Sequence, residues 1–186
     1  MLASRLVQNA KSILQKPFAK LAVGSARLVH VEKRLQELGI ELPSAPAPKA
    51  NYNIVCYASG NMLYVSGHLP INNDGSMLTG RVGPDDGGET LEHGQAAARQ
   101  CGLNILATLK SQLGDLDRVE QVVKVFGIVQ STNGFHSQHM VMDGCSDLIM
   151  DVFTKDKGYH ARSAIGTSAL PLDVSVEVEC IVQIKD

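Results

Sequence analysis

An arginine and two glutamates stand near one another in the C-terminal stretch GYHARSAIGTSALPLDVSVEVECIVQI, Gly158 to Ile184. In an extended chain, side chains alternate between faces. Val176, Val178, Cys180 and Val182 therefore share one face, and Glu177, Glu179, Ile181 and Gln183 the other. The two carboxylates lie about 7 Å apart on that face. A chain reversal near Ala169 to Leu172 predicts that the strand carrying Arg162 returns alongside, within reach of Glu177 or Glu179. Two chemistries fit this spacing. One is an ion pair on an exposed sheet face, contributing roughly 0–1 kcal/mol. In the other, the planar fork of Arg162 binds an anionic substrate while a glutamate orients or activates water. Spacing alone does not choose between them.

Other reactive residue types make weaker patterns. His136 and His139 form H-x-x-H near a helix start, with His160 further on. No carboxylate sits at the complementary spacing, so no metal site is expected. Cys145 falls inside a helical pattern without a basic partner on its face, which reads as a packed thiol rather than a nucleophile. The other cysteines, Cys56, Cys101 and Cys180, also lie among apolar or helix-forming neighbours with no C-x-x-C pair, and all four read as reduced core thiols. GRVGPDDGG is glycine-rich but lacks the Lys and the Ser or Thr of a phosphate loop.

The elements that must position these residues follow from periodicity. VEKRLQELGIELP reads as a short amphipathic helix with Val31, Leu35 and Leu38 on one face, stopped by Gly39 and Pro43. The proline-rich linker PSAPAPKA makes this helix an appendage leading into the main domain. Asn53 to Ala58 and MLYVSG read as a hairpin turning at Ser59, Gly60 and Asn61. His68 to Gly88 is loop, with MLTGRV as a possible third strand. From Thr90 to Leu113, Ala97, Cys101, Ile105 and Leu109 recur near every fourth residue, predicting a long helix ended by Gly114. VEQVVKVFGIVQ reads as a buried strand, HSQHMVMDGCSDLIMDVF as a second helix weakened at Gly144 by roughly 1 kcal/mol, and two strands close the chain. The order ββ(β)αβαββ predicts an α+β two-layer sandwich with helices on one sheet face. The other sheet face needs a cover, which predicts a symmetric homo-oligomer.

Composition bounds the function classes. The 186 residues suffice for one domain with a sizeable core. No apolar run approaches the roughly 18–20 residues that cross a bilayer, so no membrane partner is expected. Residues 1–30 hold five basic residues and no acid, and Leu2, Leu6, Ile13 and Leu14 fall at roughly helical spacing. Such a segment reads as a mitochondrial transit sequence in a eukaryotic chain, or as a basic arm of a cytoplasmic protein. The remaining body carries 12 basic against 19 acidic residues, and aromatics are 4% of the chain. A body of this charge repels a phosphate backbone and offers few stacking platforms, so nucleic acid is not an expected partner.

The segments SGNMLYVSGHLP, AAARQCGLNILATL, GDLDRVEQVVKV and above all HARSAIGTSALPLDVSVEVECI resemble the Rid family, also called YjgF, the reactive intermediate deaminases. The resemblance runs from about Asn51 to the C-terminus, and is greatest to the subgroup with a leading helix and a longer loop before the first long helix. It implies a chorismate-mutase-like fold and a homotrimer with clefts between subunits. It also implies that Arg162 binds the carboxylate of a 2-imino or enamine acid and that Glu177 orients water, with the backbone of Gly67 and Ala164 near the imine. The reaction so implied is hydrolysis to a 2-oxo acid and ammonia without a cofactor. The alternatives are a non-catalytic trimer binding small carboxylates such as 2-oxo acids, and an endoribonuclease. Many of these deaminases carry tyrosine seven positions before the Gly of Gly-Asn. Counting back from Gly60 gives Asn53, with Tyr52 one place earlier, so the pocket departs from the family's at that point.

Overall fold

The structure, a computed structural model, describes residues 30–45 and 51–185. The basic arm expected over residues 1–30 lies outside the described residues except for His30, as do residues 46–50 of the linker. Five strands form one mixed sheet: β1 (Val55–Ala58), β2 (Met62–His68), β3 (Val119–Gln130), β4 (Ala161–Thr167) and β5 (Val176–Ile184). Their spatial order is β1-β2-β5-β3-β4. All neighbours are antiparallel except β3 and β4, which run parallel. A parallel pair needs a long crossover, and the helices between them supply it.

The long helix α2 (Leu91–Leu113) begins where its sequence provides a cap, since Thr90 Oγ1 accepts from the His93 amide at 3.1 Å. It ends at Gly114, whose φ is +76°. Ala97, Cys101, Ile105 and Leu109 are buried as the period predicted, facing Val178, Cys180 and Val182 of β5 and Val122, Val125 and Val129 of β3 in one core. The expected second helix is divided into α3 (Gln138–Val141) and α4 (Asp143–Gly158). Gly144 has a packing reason. A Cβ there would lie 2.8 Å from the Gln95 carbonyl carbon, so the missing side chain lets α4 press against α2.

The first helix, α1 (Val31–Glu37), is part of the domain rather than an appendage. Val31 and Leu35 are buried in the common core. The Val31 amide donates to Asp117 Oδ1 at 2.8 Å, Arg34 Nε donates to the Asp151 carbonyl at 2.9 Å, and Lys110 pairs with Glu32. The possible third strand does not form. MLTGRV makes only isolated bridges, such as Thr79 with Val174. Cys101, Cys145 and Cys180 are buried, whereas Cys56 on edge strand β1 is exposed, correcting its assignment to the core.

The helices cover one face of the sheet. On the other, Tyr64 is 48% and Ile165 47% exposed. Phe126, Ile128 and Ile181 are half-buried on the same face, with Glu177, Glu179 and Lys124 among them.

Candidate functional site

The strand order overturns the expected pairing of Arg162 with the glutamates. β4 pairs with β3 and not with β5, so Val125 lies between Arg162 and Cys180, and Ile128 between Ile165 and Glu177. Arg162 shares the helix-covered face with Val125, while Glu177 alternates onto the open face. The two Cα atoms are separated by two strand spacings and three residue steps, on the order of 14 Å, on opposite sides of the sheet. Within one protomer they cannot meet across a small molecule.

Each belongs to its own cluster. On the open face, β2 and β5 lose register between Val65 and His68, and this irregularity places Gly67 against Glu177. A Cβ at Gly67 would stand 2.8 Å from Glu177 Cδ and 3.1 Å from Cγ. The carboxylate therefore occupies the space a side chain would fill, lying on bare backbone. Burial, followed by the neighbouring Glu179 charge, holds the Glu177 pKa above the usual carboxylate value of 4.5. Beside it, Ser66 Oγ donates to the Asn53 carbonyl at 2.8 Å, so Asn53 reaches this corner through its backbone. Tyr52 is exposed one residue earlier.

The second cluster lies at the β4 edge of the sheet. Arg162 Nη1 donates to Asp143 Oδ1 at 2.9 Å and to Ser146 Oγ at 3.0 Å, and Nη2 donates to the His139 carbonyl at 3.1 Å. Its side chain keeps 25% exposure. Ala164, two residues on, pairs with Gly127 and packs against the core on the same face. The structure thus brings Arg162 and Ala164 together, and separately Gly67, Glu177 and Asn53.

Asp143 and Ser146 hold Arg162 through their side chains, with His160 bonded to Ser146 behind them, and periodicity alone assigns none of them that role. Asp143 and Ser146 are one helical turn apart on α4, a spacing that marks a shared face but names no partner. The side chains of His139 and His160 do not converge. His160 Nδ1 bonds to the Gly158 carbonyl at 2.6 Å and Nε2 to Ser146 Oγ at 3.0 Å, while His139 contributes its carbonyl to Arg162. Cys145 is buried, and desolvation pushes its thiol up to about 12 despite the opposing pull of Arg162, which disfavours the thiolate a nucleophile requires. A hollow of about 350 Å³ beside Ser131, Phe135, Gln138 and Thr167, and one of about 290 Å³ beside Arg81, Asp86 and Glu89, include neither Arg162 nor Glu177.

The fold and these clusters define a class. The chain belongs to the YjgF/chorismate-mutase-like family, whose model, described as "YjgF/chorismate mutase-like, putative endoribonuclease", matches residues 32–184. Among its relatives, Protein TCP17 of Trypanosoma cruzi is 45% identical over 157 residues, 84% of this chain and 95% of that protein. The solved structure of the protein Atu1372, of unknown function, from Agrobacterium tumefaciens superposes with a TM-score of 0.73 at 40% identity, covering 85% of this chain and 96% of that one. A 2-iminobutanoate/2-iminopropanoate deaminase of Dermatophagoides farinae is 26% identical over 147 residues, 78% of this chain and 95% of that protein.

Proposed function

We propose that this chain is a cofactor-independent deaminase of small 2-imino and enamine acids, acting in clefts between the protomers of a homotrimer. The observation that carries the reading is the Arg162 guanidinium, held at the sheet edge through Nη1 while Nε has no partner among the described residues. The Nε and Nη2 hydrogens of an arginine point the same way and match the two oxygens of a carboxylate. The relationship to a protein named as an imine deaminase is consistent with this use.

Because Arg162 and Glu177 lie on opposite sides of one sheet, a shared substrate would be gripped by two copies. Arg162 and Ala164 of one protomer would take the carboxylate end, and Gly67 and Glu177 of the next the imine end. The apolar residues of the open face, Tyr64, Phe126, Ile128, Ile165 and Ile181, are the surface such packing would bury. A carboxyl with a raised pKa suits proton exchange with water. Water, relieved of a proton by Glu177, would add to the imine carbon. Glu177 would return that proton to the nitrogen of the carbinolamine so formed, the C–N bond would break with the nitrogen leaving as ammonia, and the hydroxyl would give up its own proton to water as the carbon becomes the carbonyl of a 2-oxo acid. The step is redox-neutral, and positioning accounts for most of what it asks of the protein.

The test is complementation. Arg162→Ala and Glu177→Gln should each abolish ammonia release from freshly generated 2-iminopropanoate, and mixed trimers of the two variants should recover part of it. Sedimentation should give the mass of three chains. Loss without recovery in confirmed mixed trimers would exclude a shared site, and undiminished turnover in Arg162→Ala would exclude the arginine.

A second reading, a trimer that binds 2-oxo acids without turnover, is favoured by one feature, the absence of tyrosine at Asn53. Calorimetric binding with no ammonia release would select it. Ribonuclease action ranks last, because the acidic body opposes a phosphate backbone.

A further inference from the structure

The hydrogen-bond directions around Arg162 form an ordered chain. A carbonyl only accepts, so His160 Nδ1, 2.6 Å from the Gly158 carbonyl, carries the ring proton. In the neutral ring Nε2 is then an acceptor, and it takes the Ser146 hydroxyl hydrogen at 3.0 Å. That fixes the Ser146 lone pairs toward Arg162 Nη1, also 3.0 Å away, and a guanidinium only donates. With Asp143 Oδ1 on the other Nη1 hydrogen, both are committed. The His139 carbonyl takes one hydrogen of Nη2. What remains, without a partner among the described residues, is the Nε hydrogen and one hydrogen of Nη2, which form the side-on fork when the His139 carbonyl takes the Nη2 hydrogen that faces Nη1.

We propose that His160, acting through the Ser146 hydroxyl, is a positioning residue that aims the Nε/Nη2 fork of Arg162 at the carboxylate of a small 2-oxo or 2-imino acid, and that it does so only while neutral. This rests on the reading of Arg162 as the carboxylate anchor and extends it to the groups that regulate that anchor. Protonation at Nε2 turns an acceptor into a donor. Two N–H groups then converge on Ser146 Oγ, the hydroxyl hydrogen is displaced, and an imidazolium stands one hydroxyl away from the guanidinium. Both effects push Arg162 off its aim. Among the described residues, the charged and titratable groups around this cluster are Arg162 on β4, His139 on α3, Asp143 on α4 and the Cys145 thiol, which burial keeps protonated. Burial, and then the Arg162 charge against the raising effect of the Gly158 carbonyl, hold the His160 pKa below 6.5, so the ring is neutral at physiological pH.

The test is calorimetric binding of 2-oxobutanoate to the full chain between pH 5 and 8. Wild type should bind evenly above about pH 6.5 and weaken about tenfold or more as pH falls through the His160 titration. His160→Gln keeps an acceptor for Ser146 without a titration and should flatten that acid limb. Ser146→Ala should weaken binding about tenfold at every pH, and Ser146→Thr should restore it. Arg162→Ala should abolish binding, and thermal unfolding checks that each variant is folded. If Arg162→Ala abolishes binding but Ser146→Ala and His160→Ala bind like wild type, or if His160→Gln keeps the acid limb, the brace is refuted and the anchor stands. If wild type does not bind, or Arg162→Ala binds like wild type, the anchor falls and the brace with it.

Discussion

Replacing Gly67 by alanine tests the open-face half of the site with one methyl group. The added carbon would lie 2.8 Å from Glu177 Cδ and 3.1 Å from Cγ, where ordinary contact begins at 3.4 Å, and closer still to Oε1. The carboxylate must therefore swing aside by roughly an ångström, a misplacement that costs on the order of 100-fold in rate when the group acts in the reaction. That is about 2.7 kcal/mol of transition-state stabilisation. Stability should change far less. The obstructing atoms are the free end of a flexible side chain, half-buried on the open sheet face, so the change in unfolding free energy should stay within about 1 kcal/mol.

The assay is the initial rate of ammonia and pyruvate formation from freshly generated 2-iminopropanoate, with thermal unfolding in parallel. Gly67→Ala and Glu177→Gln should lose activity to similar extents, and the double variant should be no worse than the poorer single one, because both remove the same placed carboxylate. Wild-type turnover in a folded Gly67→Ala protein would refute the placement. So would losses that multiply in the double variant, because the two residues would then act independently.

Gly144→Ala should destabilise the protein although alanine is the better helix former by about 1 kcal/mol. Its Cβ meets the Gln95 backbone, 2.8 Å from the carbonyl carbon and 3.0 Å from Cα, and neither can move without parting α4 from α2. A net loss near 2 kcal/mol is expected, read as a fall in Tm of about 4–8 °C; an unchanged or raised Tm would contradict the close helix packing. Stability should also fall in mild acid because of His68, which is 2% exposed with Nε2 bonded to Thr108 Oγ1 at 2.8 Å. Burial lowers its pKa below 6.5, so in acid the unfolded chain binds a proton that the native ring refuses. Stability is then full above about pH 6.5 and declines as pH falls from there toward the native pKa. Urea midpoints between pH 5 and 7.5 should show this slope, flattened in His68→Gln.

The sequence exposed whatever depends on neighbours along the chain. The fourfold recurrence of Ala97, Cys101, Ile105 and Leu109 announced α2, and Thr90 and Gly114 announced its ends. The alternation of Val176, Val178, Cys180 and Val182 with Glu177 and Glu179 correctly divided β5 into two faces. Periodicity says which residues share a face of one strand and nothing about which strand lies beside it. Sequence alone therefore sets β4 alongside β5 after the reversal, whereas β3 intervenes and the crossover through α4 makes β4 its parallel neighbour.

One inserted strand changes the chemistry that can be assigned. If β4 lay beside β5, Arg162 and Glu177 could be an ordinary cross-strand ion pair on an exposed face, worth little and needing no substrate. With β3 between them and their side chains on opposite faces, that account is closed, and each charge must be explained in its own surroundings. Glu177 rests on a glycine whose missing side chain it replaces, with a pKa raised by burial and by Glu179. Arg162 is held through Nη1 by two residues of α4, while its Nε has no partner among the described residues. A surface ion pair would need neither the glycine nor the brace. Arg162, paired with Asp143, and Glu177, resting on Gly67, are separately braced on opposite faces of one sheet, an arrangement that suits the proposed site shared between copies.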